Sequence, residues 1–202
     1  GLAEVTPLPA MGPAELTQML HSMLGPVSLP VTQARLLLER TGGNPFLIEA
    51  TVRELLEDGR IRREGDAFAL AEDALDAGEA PGTIDTILDR MLARLDPRER
   101  TTLRLLAVFN RPTSALSLQM AAPDLDHLPR LLATLQRKRL LQRGWAEGHY
   151  QYRLRHNQLR AHIYRGLTPV EQQRLHAAVG RVIEARHGQR ERYFEDLALH
   201  FQ

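Results

Sequence analysis

Apolar residues recur along this chain at helical spacing in most windows and alternate at strand spacing in only two. From Pro13, Leu16, Met19, Leu20, Met23 and Leu24 fall on one helical face, which Gly25-Pro26 ends. A second helix carries Ala34, Leu37 and Leu38 and stops at Gly42. Pro45 then opens a third, running to about Asp58 with Phe46, Leu47, Ala50 and Leu55 as its apolar residues. Ile61 to Leu70 alternates instead, with Glu64-Gly65-Asp66 at a turn and Phe68 and Leu70 inward, so it predicts a small hairpin.

Residues 71–82 are acidic, rich in Ala and Gly, and end in Pro81-Gly82, which reads as a linker. Thr83 is the expected cap of a helix whose face is Ile84, Ile87, Leu88, Met91, Leu92 and Leu95. Asp96-Pro97-Arg98-Glu99 is a capping box with proline at the first helical position. The helix it opens holds Leu103, Leu106, Ala107 and Phe109, and a short helix follows around Ser114–Met120. The next has Leu128, Leu131, Leu132 and Leu135 inward and Arg130, Arg137 and Lys138 outward. Leu140-Leu141, a glycine turn and the alternating Tyr150-Gln151-Tyr152-Arg153-Leu154 then predict a second hairpin. Three helices closed by a hairpin is the winged-helix order. Beyond it, Leu159, Ile163 and Tyr164 share a helix, and Thr168-Pro169-Val170-Glu171 repeats the capping device. Leu175, Ala178, Val179, Val182 and Ile183 continue as a helical stripe, and Arg192 to Phe201 reads as a final helix.

The fold expected is therefore mainly α: a helical subdomain with a small hairpin over 1–78, a winged-helix domain over 79–155, and a helical region over 156–202 leading into TPR-like repeats. Residues 1–11, with Pro7 and Pro9, read as an extended continuation of an upstream segment.

Composition changes this picture in three places. The chain has no cysteine, which excludes disulfides and thiolate metal sites. No apolar run approaches the roughly 20 residues of a membrane span, and the N-terminus lacks a signal-peptide pattern, so the chain reads as cytosolic. The formal charge of +1 conceals a split. Residues 1–80 carry 6 Arg against 13 acids, a net −7, and residues 81–167 carry 15 bases against 7 acids, a net +8.

Catalytic signatures are lacking. Lys138 is the only lysine and sits in Arg137-Lys138-Arg139-Leu140, whereas a Walker A loop needs lysine after a glycine-rich turn. The chain therefore reads as non-enzymatic. None of the eight histidines has metal-ligand spacing with a carboxylate partner. Two constellations remain. Gly42-Gly43-Asn44-Pro45 is a tight interhelical turn whose amides could receive an anion or a ring edge. Arg130, Arg137, Lys138 and Arg139 lie on the helix that a winged helix would insert into a DNA groove. Against that stands a plain solvated face, or one facing the acidic residues 1–80 of the same chain, since the cluster is short and the adjacent hairpin is not rich in Lys or Arg.

Gly43-Asn44-Pro45-Phe46-Leu47-Ile48-Glu49, a hairpin, and then Ile84-x-x-Ile87-Leu88-x-Arg90 with Leu95 and Glu99-Arg100 resemble the region downstream of the P-loop core in STAND-class signalling ATPases, close relatives of the AAA+ group. The bacterial type found in transcription regulators and beside adenylyl cyclase or kinase domains is the most similar. Tyr152-x-Leu154-x-His156-x-x-Leu159-Arg160-x-x-Ile163-Tyr164 resembles that group's exit from the winged helix. The resemblance implies that residues 1–78 are a helical lid. It implies that Gly43, Asn44 and Pro45 lie beside a nucleotide's base, and that His156 reaches the β-phosphate of ADP. The Met and Asp that flank this histidine in the family are Arg155 and Asn157 here. ATP or ADP with Mg²⁺ would then belong to an upstream core of the parent protein, and no cofactor to this piece. Its partners would be that core, downstream helical repeats, and protein partners or a second copy. DNA binding would be weak. The alternatives are a winged-helix DNA-binding regulator and a protein-interaction module.

Overall fold

Several helix starts fall where a side chain caps them, at Asn44, Asp96, Ser114 and Thr168. In the computed structural model, residues 10–71, 73–75 and 84–187 are described, and the chain divides into two compact units, Gly1–Ala93 and Arg94–Gln202. The expected Thr83 cap, the later part of the linker and the final helix over 192–201 lie outside the described residues. The fold is mainly helical, with two small sheets among the described residues.

In the first unit, α1 (Pro13–Leu24), α2 (Val31–Thr41) and α3 (Pro45–Glu57) pack around one core. Leu16, Leu20, Leu37, Ile48, Val52 and Leu55 form it with Ile61 and Leu70 of the hairpin. Burying each such side chain contributes about 1.5–3 kcal/mol. The hairpin strands β2 (Ile61–Glu64) and β3 (Ala67–Leu70) gain a third partner, β1 (Val27–Ser28), which runs parallel to β3 with Val27 opposite Phe68. The acidic stretch read as a linker begins inside this core: Ala74 and Leu75 are buried. The Leu75 amide donates to the buried Gln33 Oε1 at 2.9 Å. Helix α4 (Ile84–Ala93) packs on α3 and buries Ile87 and Leu88.

The second unit opens with α5 (Pro97–Phe109), whose Asp96/Glu99 capping box is complete. Then follow β4 (Thr113–Ser114), α6 (Ala115–Ala121), α7 (Leu128–Arg137), β5 (Leu141–Ala146) and β6 (His149–Leu154). This is the expected order of three helices and a hairpin with one short strand added, giving an antiparallel sheet ordered β4-β6-β5. Two-residue strands carry no alternation, so neither β1 nor β4 was visible in the residue pattern. Leu103, Leu106, Leu118, Leu132 and Leu135 are buried between the helices.

Two more helices, α8 (Asn157–Arg165) and α9 (Pro169–His187), pack against α5. Thr168 and Glu171 bond reciprocally at the start of α9, with Thr168 N donating to Glu171 Oε2 at 2.8 Å and Glu171 N to Thr168 Oγ1 at 3.3 Å. Leu175, Val179, Val182 and Ile183 are its buried stripe. In its last turn, Arg186 Nη1 donates to Ser114 Oγ at 2.8 Å and Ser117 Oγ at 2.9 Å, tying α9 to the cap of α6.

Helices α8 and α9 are also joined by Tyr164 Oη and His176 Nε2, 2.9 Å apart. Burial holds the His176 pKa below its ordinary 6.5. The unfolded chain therefore binds the proton more readily than the folded one, and folding is favoured where the imidazole is neutral. That contribution is complete above pH 6.5 and is lost as pH falls through 6.5 toward the lower folded value. Melting temperatures at pH 7.5 and 5 should drop more in the wild type than in His176→Gln. An equal drop in both would assign the acid sensitivity to other groups.

Candidate functional site

The Gly42–Pro45 turn is assembled by the end of one helix and the start of the next. Gly42 caps α2 at φ 58° and its N–H reaches Leu38 O. Gly43, at φ 64°, also sends its N–H to Leu38 O, at 3.1 Å, and Asn44 N donates to Thr41 O at 3.1 Å. Asn44 Oδ1 then accepts from Phe46 N at 3.0 Å, the cap that the sequence predicts for α3. Every N–H from Gly42 to Phe46 is thus engaged internally, Pro45 having none. An anion would find no amide there, contrary to the expectation of a receptive turn. Phe46 and Leu47 are core residues, whereas the Pro45 ring is exposed.

Gly43 serves a second purpose. Its carbonyl accepts from Met11 N at 3.0 Å, drawing the segment before α1 across the turn. A Cβ on Gly43 would lie 2.8 Å from both Met11 N and Met11 O, whereas one on Gly42 meets nothing within 4 Å. Both positions have left-handed backbone, so alanine strains either by about 1–2 kcal/mol. Gly43→Ala should cost about 1–3 kcal/mol beyond Gly42→Ala, because backbone must also move aside. Equal losses in urea unfolding of the two variants would show that the Met11 crossing contributes nothing.

His156 lies two residues after β6 and is the N-cap residue of α8 through its backbone, while its side chain makes no capping hydrogen bond. It lines a cleft of about 360 Å³ with Leu106, Asn110, Arg111, Pro112, Arg153, Leu154, Arg155, Asn157 and Arg160. Four guanidinium groups and an imidazole therefore surround the N-terminus of a nine-residue helix, and no carboxylate lines the cleft. Guanidinium forks and a helix N-terminus are the donors that suit a phosphate or carboxylate. Arg153 also donates to Gln142 Oε1, at 3.2 Å from Nε and 2.9 Å from Nη2. Sequence reasoning missed Arg111, Arg153 and Arg160 as site residues. The available signal was His156 and Arg160 at i, i+4, with Arg155 beside them.

The basic cluster on α7 is split by the structure. Arg130 and Arg137 are exposed on the helix, and Arg137 donates to Thr134 Oγ1 at 3.0 Å. Arg139 is exposed just beyond it, at φ 56°. Lys138 does not point outward as expected. It occupies the C-cap position, where the helix has ended, and its Nζ reaches Glu99 Oε2 at 2.8 Å. Glu99 is nearly buried, with 5% side-chain exposure against 37% for Lys138. Lys138→Met should cost about 1–2 kcal/mol by leaving that carboxylate without its cation, less than a fully buried pair would lose. Thermal unfolding reads the change; an unaltered melting temperature would make the pair decorative.

Among the described residues no three His, Asp or Glu side chains gather as a metal site requires, and no helix is long and apolar enough to cross a membrane. No family model matches the chain, and no curated protein matches it. Among solved structures it is similar to a signal-transduction ATPase with numerous domains (STAND) carrying a tetratricopeptide repeat sensor, from Pyrococcus horikoshii. The two are 14% identical, with a TM-score of 0.49, over 96% of this chain and 29% of that one. The chain thus spans less than a third of that protein, and a likeness so distant assigns no function.

Proposed function

We propose that this chain is a regulatory piece of a multidomain, STAND-type signalling ATPase. It would couple the ADP or ATP state of an upstream P-loop core to domains that follow. The motifs around Gly43–Glu49 and Tyr152–Tyr164 support this reading, as does the helical order joining them. The observation that carries it is the cleft at the start of α8, where Arg111, Arg155, His156 and Arg160 line one hollow without a carboxylate. The donor set fits a nucleotide's phosphate: three guanidinium groups, an imidazole able to donate, and helix amides. The lid position Pro45 belongs to the first unit, where its ring is exposed.

On this reading the chain is not itself catalytic. Nucleotide and Mg²⁺ belong to the upstream core, and this piece supplies groups that recognise the resting, ADP-bound form. His156 and its arginines favour the closed state only, so nucleotide exchange shifts a two-state equilibrium toward the open one. Second copies or protein partners would then bind surfaces exposed by opening.

The test is His156→Ala in the parent protein that carries the P-loop core. A charge-assisted hydrogen bond contributes about 1.5–3 kcal/mol, so losing it should speed ADP release roughly ten- to a hundredfold. Because the imidazole makes no capping bond, the melting temperature should fall by less than the loss of a helix cap would cause. A lowered melting temperature with an unchanged ADP off-rate would make His156 a structural residue and overturn the assignment.

A further inference from the structure

We propose that the outer face of α7 and the tip of the β5–β6 hairpin form a binding surface for single-stranded nucleic acid. This does not rest on the nucleotide-cleft reading and uses a different set of side chains. Its first support is charge. Residues 130–143 carry five bases, Arg130, Arg137, Lys138, Arg139 and Arg143, and no acid. Of those five, Lys138 is withdrawn to Glu99, so the cations left on this stretch are arginines.

The second support is geometry. Arg130 and Arg137 of α7 and Arg143 of β5 line one shallow hollow, together with Ala133, Thr134 and Gln136. No carboxylate is among its lining residues, and planar guanidinium forks match phosphate oxygens in pairs. A backbone of regularly spaced phosphates is the polyanion such a row suits.

The third support is aromatic. Trp145 pairs with Tyr150 across the hairpin, and side chains of paired strand residues share a face. Their rings meet edge to face, with centroids 4.8 Å apart at 80°. The Arg143 guanidinium lies over the Tyr150 ring, 4.2 Å from its centroid. Yet Trp145 is 65% and Tyr150 48% exposed. The hairpin therefore holds an indole in a fixed orientation at a cationic edge and leaves most of it in water. A base has two π-faces that stack on such a ring, and single strands expose them whereas a duplex buries them between neighbours. An acidic protein would satisfy the arginines but has no matching use for the indole. The combination of arginine row and aromatic platform selects the single strand.

Trp145 is the only tryptophan, so its emission reports on this surface directly. Titrating the chain with a short oligothymidylate should quench that emission. Affinity should fall with salt at a log–log slope near −2, roughly 0.7 for each of three arginines. Arg137→Ala should reduce the slope's magnitude by about 0.7. Trp145→Ala, followed by anisotropy of a labelled oligonucleotide, should weaken binding about tenfold without altering the circular dichroism spectrum, since both side chains are at the surface. Absence of quenching would overturn the proposal. So would a Trp145→Ala variant that binds normally, a duplex of equal length that binds more tightly with emission unchanged, or a polyglutamate peptide that quenches equally.

Discussion

The second unit depends on one carboxylate. Glu99 stands at the third position of α5, where the helix has amides without intrahelical partners. Its Oε2 accepts the Asp96 N–H at 2.9 Å and the Lys138 ammonium at 2.8 Å. The first contact closes the capping box, and the second fastens the end of α7 to the start of α5. A carboxylate so little exposed would be costly by itself. Here the helix N-terminus, the amide and the lysine together compensate for the water it loses. The consequence reaches the surface, because α7 is held at the point where the chain turns into β5.

That constraint explains why the only lysine was misread. On a helical wheel the residue after Arg137 falls on the outward side, and a run of three bases looks like one patch. The helix stops at Arg137, however, and Arg139 takes a left-handed backbone conformation, so the wheel no longer applies. Caps, by contrast, were legible because they are local chemistry. Asn44, Asp96 with Glu99, and Thr168 with Glu171 each bond within three residues of themselves. The helical stripes were legible for a similar reason, as in Leu16 with Leu20 or Val179 with Val182 and Ile183.

What sequence could not convey was assembly across distance. Strands β1 and β4 exist because a neighbour's edge was available, two residues each, and no period announces them. The buried Gln33 finds the Leu75 amide 42 positions away, which turned the start of an apparent linker into core. The arginine cleft is of the same kind. Arg111 comes from the turn after α5, Arg153 from the end of β6, Arg155 from the link between β6 and α8, and Arg160 from α8. The motif around His156 pointed to the place, but its electrostatic character came from residues the motif does not contain.

Strand β6 also accounts for how one small unit can carry two cationic surfaces. Side chains along a strand alternate between faces. Tyr150 and Tyr152 lie on the face shared with Trp145 and Arg143, their partners across the hairpin. Arg153 lies on the other face with its partner Gln142, to which it donates. The two positively charged hollows therefore draw on opposite sides of the same hairpin: Arg143 on the α7 side, Arg153 on the α8 side. A one-residue slip in register would exchange these roles and carry Leu154 out of the core. Pairing of Leu141 with Leu154, both buried, opposes that slip. The same apolar pair that closes the core thus fixes which arginines serve the cleft and which serve the outer face.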